Sequence, residues 1–155
     1  MQNAAVNRVD HLRTSGPDAL QLEIREAHES TQSCFREMDQ ILAKREFDAT
    51  ALTSVRLKLA AIRLTRGPLI SKVAEFLSGR LTAQEEAMLA ELRSSHQRLL
   101  QTATTHTSKW TLDAIATSWT QYRTETRELM RQWQTKVERE QRFVYPLVQR
   151  CARTA

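Results

Sequence analysis

Arg56, Lys58, Arg63, Arg66 and Lys72 fall in a stretch, Thr50 to Ala74, that contains no acidic residue. Guanidinium and ammonium groups clustered in this way offer charge and donors to phosphates or to an acidic protein, an attraction that weakens steeply with salt. Arg25, Arg36 and the arginines of the C-terminal third add to the same balance. No recognition-helix motif or base-stacking platform accompanies them, so a solvated face or an acidic protein ranks ahead of nucleic acid. Three other reactive side chains, His28, His96 and Glu140, interrupt otherwise apolar stripes. Cys34 lies on an apolar stripe, as structural thiols do, and Cys151 falls near a chain end expected to be mobile. The two cysteines lack the spacing of metal-binding pairs. The many serines and threonines follow no Gly-x-Ser-x-Gly pattern, and no glycine-rich phosphate loop occurs. Motifs for covalent catalysis are absent.

The elements that position these residues are expected to be helices. The chain has 155 residues, one domain's worth, with only three glycines and three prolines to build tight turns. Good helix formers fill most of its length. A hydrophobic fraction of 41% argues against a disordered chain. A mean hydropathy of −0.52 argues against a membrane protein. No stretch approaches the roughly 18 uninterrupted apolar residues of a membrane span. The net charge of +5, from 23 basic and 18 acidic residues, is modest.

Leu20, Ile24, Thr31, Phe35, Met38 and Leu42 recur at steps of three and four, so they share one face of a first helix opened by Pro17 or Asp18. His28 falls within that stripe. Asp48 can cap a second helix, with Leu52, Val55, Leu59, Ile62, Leu69 and Val73 on its buried face. Gly67-Pro68 is expected to kink or break it. Thr82 and Glu85 have capping-box spacing and open a third helix, whose stripe carries Met88, Leu92, His96 and Leu99. The Thr- and Ser-rich segment from Thr102 to Thr111 is expected to end it. A fourth, longest helix carries Leu112, Ile115, Trp119, Tyr122, Trp133 and Val137, with Glu140 on the same stripe. Trp110, Trp119 and Trp133 suit core or helix-end packing better than a ligand cage. Short connections favour antiparallel neighbours, hence an all-α, up-down-up-down four-helix bundle spanning 17–155 after a flexible segment, 1–16, that lacks a secretion signal's apolar core.

Three segments resemble the hemerythrin-like, or HHE-type, cation-binding domains. Leu22-Glu23-Ile24-Arg25-Glu26-Ala27-His28 is similar to the opening of that family's first helix, and Leu89 to His96 to its third. Lys136 to Leu147, with Glu140 and the Tyr145-Pro146-Leu147 ending, is similar to its closing motif. In that family the first and third helices each give a histidine, and the second and fourth each give a His-x-x-x-Glu pair. The i, i+4 spacing turns both ligands to one face, where carboxylates bridge two iron ions.

The resemblance carries over three ligand positions, His28, His96 and Glu140. Lys136 stands where the fourth helix should offer histidine, and an ammonium group has no lone pair to give. The second helix has no His, Asp, Glu or Cys between Asp48 and Glu75; the best register puts Lys58 and Ile62 at the ligand positions. The resemblance therefore implies a degenerate bundle, without its di-iron centre, in which His28, His96, Lys136, Glu140 and Lys58 form a vestigial interior cluster. Either Lys136, and Lys58 with it, replaces the metal charge and pairs with Glu140, or Lys136 reaches solvent along its stem. The alternative keeps one iron or zinc ion on His28, His96 and Glu140.

The expectation is a non-enzymatic binding or regulatory module without a resident cofactor, in a reducing cytoplasm with free thiols. Its partner would be an acidic protein, or a small organic ligand admitted between helices where Gly67-Pro68 displaces the second one.

Overall fold

The computed structural model describes residues 16–154. Five α-helices occur there: α1 (Pro17–Leu42), α2 (Ala49–Leu77), α3 (Ala83–Lys109), the single-turn-and-a-half α4 (Leu112–Thr117) and α5 (Trp119–Arg153). Among the described residues there is no strand, and no helix is long and apolar enough to cross a membrane. The segment expected to be flexible lies, apart from Gly16, outside the described residues.

Helix starts follow local chemistry. Gly16, at φ 137°, adopts a turn closed to other residues and leads into Pro17 at the first helical position. Asp48 accepts a 3.0 Å bond from the Ala51 amide, giving an orphan donor of α2 its partner. Thr82 and Glu85 exchange side-chain bonds with each other's backbone amides, 2.9 and 3.2 Å long, and complete a capping box on α3.

The helices meet the expectations of continuity only in part. α2 does not break at Gly67-Pro68 but continues through it as helix. Pro68 is exposed, and the carbonyl it cannot bond belongs to Leu64, a residue 79% exposed, so water can take the place of the missing donor. The Thr- and Ser-rich segment ends α3 as expected, at Lys109, late within that segment. Thr102 and Thr104 donate to the carbonyls of Arg98 and Leu100 and so remain compatible with helix. The helix expected from Leu112 onward is two. Ser118, at φ −134° and ψ 51°, leaves helical geometry between α4 and α5, and Thr111 caps α4 separately. Two stripe residues, Met88 and Leu112, are 38% and 43% exposed rather than buried. Cys151, expected at a mobile end, is buried in α5, as Cys34 is in α1; the two thiols are not joined.

Side-chain bridges between the long helices run in reverse sequence order. Glu23, Thr31 and Glu37 of α1 meet Lys72, Arg66 and Lys58 of α2. Glu85, Glu91 and His106 of α3 meet Arg150, Arg139 and Thr126 of α5. The apolar interior falls into three clusters along the helices. Leu42, Leu52, Ile115 and Tyr122 anchor one end, Leu77, Leu147 and Val148 the other, and Phe35, Leu99, Ala103 and Trp133 lie between. Each fully buried Leu, Ile or Phe contributes about 1.5–3 kcal/mol of transfer free energy. Along α5, Lys136 and Glu140 interrupt the apolar series Trp133, Val137 and Leu147, and they belong to a layer of charge.

Candidate functional site

Four long helices each send one or more polar groups into this layer. Thr31 comes from α1, Arg66 from α2, His96 from α3, and Lys136 with Glu140 from α5; all are buried except Glu140, whose side chain is 19% exposed. Lys136 and Glu140 are one turn apart on α5, so the fold turns both to the same side. The Lys136 ammonium donates to Oε1 of Glu140, and Nη2 of Arg66 donates to Oε2. Nη1 of Arg66 donates to Thr31 Oγ1 at 3.0 Å, and that hydroxyl donates to the Ala27 carbonyl at 2.8 Å. Glu140 is thus gripped at both oxygens by different cations. Charge-assisted bonds of this kind are roughly twice as strong as neutral ones.

Burial pushes the Lys136 ammonium below its ordinary pKa, while the Glu140 carboxylate pulls it back up. The ammonium also sits over the Trp133 ring, 5.3 Å from its centre, where the ring's negative face stabilises it. His96 is 4% exposed and meets Trp133 edge-on at 5.7 Å. Neither of its ring nitrogens has a partner among the described residues. Burial first, then the positive charge of Lys136, lowers its pKa to about 4, so the imidazole is neutral at neutral pH.

Of the residues singled out from the sequence, the structure joins Lys136 to Glu140 and sets His96 beside them. His28 is half-buried on α1, in the wall of a cavity of about 210 Å³ that Arg66 and Glu140 also line. Among the described residues, no three His, Cys, Asp or Glu side chains gather as a metal-holding group. Lys58 does not belong to the interior. It is exposed and bonds Glu37 of α1 at 3.0 Å. The interior cation of α2 is Arg66, which sequence reasoning had assigned to the basic face. A signal for this existed: Arg66 stands four residues after Ile62 and three before Leu69, in step with the apolar stripe.

The expected basic face is accordingly divided. Arg66 is buried, Arg56 and Arg63 are half-buried, and Lys58 and Lys72 are paired across to Glu37 and Glu23. Arg56 donates to the Thr107 carbonyl of α3 at 3.3 Å. A second cavity, of about 330 Å³, opens on the other side of Arg66, with Arg56 and Arg63 in its wall. Compared with family models, with curated proteins and with solved structures, the chain matches none.

Proposed function

We propose that this chain is an antiparallel four-helix bundle of hemerythrin-like type in which protonated side chains stand in for the metal ions, and that it acts as a non-enzymatic binding or regulatory module. The reverse-order bridges between the long helices support the bundle. The observation that carries the reading is the Lys136–Glu140–Arg66 bridge, a carboxylate holding two cations where the family's carboxylates hold two irons.

The donor set does not suit iron. Lys136 and Arg66 are positively charged, cannot donate lone pairs, and repel a metal cation. Thr31, His96 and Glu140 offer electron pairs in this layer, and the Thr31 hydroxyl and both oxygens of Glu140 are engaged by cations. Both oxygens of Glu140 are taken up by cations, and the neutral His96 imidazole, though unpartnered, is buried and lines neither cavity, which favours binding over catalysis. With Lys58 and Lys72 paired to carboxylates, an internal ligand is favoured over a surface partner recognised by charge.

Metal analysis of freshly purified protein tests this reading. Less than a tenth of an equivalent of iron or zinc on the scale of the ~1 equivalent a resident site retains, with helicity unchanged by chelator, is the expected result. Two irons per chain would overturn it. One metal, lost together with helicity on chelation, would return the role to His28, His96 and Glu140.

A further inference from the structure

The 330 Å³ cavity is near the lower end of the size range for small-molecule sites, about 300–1,000 Å³. Its body is apolar: Phe35, Met38, Leu59, Leu129, Met130 and Trp133 line it. Its charged groups are all of one sign. Arg56, Arg63 and Arg66 project into it from α2, and no Asp or Glu lines it.

The three arginines are not equally engaged. Arg66 is held by Glu140 and Thr31, and Arg56 by a backbone carbonyl. Arg63 is half-buried, makes no hydrogen bond or ion pair among the described residues, and keeps its guanidinium nitrogens within reach of water, so it is free to take an anion. Burial and the neighbouring Arg56 both press its pKa down, as expected of a cation lacking its anion. The ionic layer does not supply one, because Glu140 already serves two cations. His106, on the same wall, is held low by burial and bonds Thr126 Oγ1 at 3.0 Å, so it adds no negative charge.

The rim explains two otherwise odd residues. Leu57 and Leu112 are 66% and 43% exposed, and both border this cavity. One from α2 and one from α4, they extend its apolar wall to the surface.

We propose that this cavity binds an amphiphilic organic anion, its apolar body against Phe35, Leu59 and Trp133 and its head group, carboxylate or phosphate, on the guanidinium of Arg63. The rigid fork of Arg63 matches either head group in a two-point contact. A cationic ligand would meet three arginines, and a neutral one would leave Arg63 unpaired. The proposal rests on the reading of the chain as a binding module and names its ligand class.

The test is a titration of the full chain with decanoate, decyl phosphate and decanol, below their aggregation limits, followed by calorimetry and tryptophan fluorescence. One anion, at least, should saturate at one per chain, and decanol should bind about tenfold or more weakly. The better of the two anions identifies the head group. Arg63→Gln should weaken the anion by about tenfold or more and leave decanol unchanged, with native helicity. Ala60→Phe, on the cavity wall, should abolish binding of all three. Failure of both anions to saturate, decanol binding as tightly as they do, or an Arg63→Gln protein that binds like the parent would each overturn the proposal. A metal-free, helical protein that ignores both anions would sink this inference alone; two irons per chain would sink the reading beneath it.

Discussion

Removing the carboxylate that two cations share is the sharpest perturbation of this interior. Glu140→Ala leaves Lys136, only 2% exposed at its side chain, and Arg66, at 9%, without an anion. Breaking a buried pair in this way costs about 3–5 kcal/mol, because the stranded charge keeps its desolvation penalty. The side chain of Glu140 is 19% exposed, so water can enter the space it vacates, and the loss should lie toward about 3 kcal/mol. For a domain of this size that lowers Tm by roughly 6–12 °C. Glu91→Ala is the control, since Glu91 and Arg139 are 61% and 49% exposed and 3.3 Å apart. Such pairs are worth about 0.2–1 kcal/mol. Urea and thermal denaturation followed by circular dichroism read both losses. Adding Lys136→Met to Glu140→Ala should recover stability, since it removes one stranded cation. Raising the pH should also shrink the deficit of the single variant. Lys136 already has a lowered pKa, and losing Glu140 removes what raises it, so the ammonium sheds its proton more readily. Equal losses in Glu140→Ala and Glu91→Ala, or a double variant no better than Glu140→Ala, would refute the argument.

His96 should make the fold acid-sensitive: its folded pKa, about 4, lies below its ordinary 6.5, so between those values the unfolded chain binds more protons and stability falls as pH drops. The loss is at most about 3 kcal/mol, and His96→Leu should flatten the stability profile measured by urea titration across that window. Thr82→Ala removes half of the capping box and should cost about 1 kcal/mol, read as a lower thermal midpoint. Pro68→Ala restores a donor to an unbroken helix and should raise stability by about 1–3 kcal/mol; no gain would mean that α2 has fully relaxed around the ring.

Much of the helical layout was legible because helix ends are decided locally. Asp48 and the Thr82–Glu85 pair act on amides within three residues of themselves, and Pro17 needs only its own fixed φ and missing N–H, so position alone betrays them. The break at Ser118 was not legible, since helical period continues across it and only the packing of Ile115 and Trp110 in the end cluster selects two helices over one. The Lys136–Glu140 pair was legible as i, i+4 spacing. Its third member was not named, for a reason that lies in α2. Apolar residues surround that helix, with Leu57 and Leu64 left at 66% and 79% exposure, so its sequence marks no clear inward face.

Composition and capping chemistry by themselves determined that this protein is helical, where three of its four long helices begin, and that two groups on α5 would face the same way. Only the tertiary structure decided that Arg66, not Lys58, enters the interior, that His96 is stranded beside the ion cluster, and that Arg63 faces a cavity without an anion. Those outcomes depend on which helix faces meet. Contact between groups from different helices is a property of their packing, and periodicity along one chain segment carries no record of it.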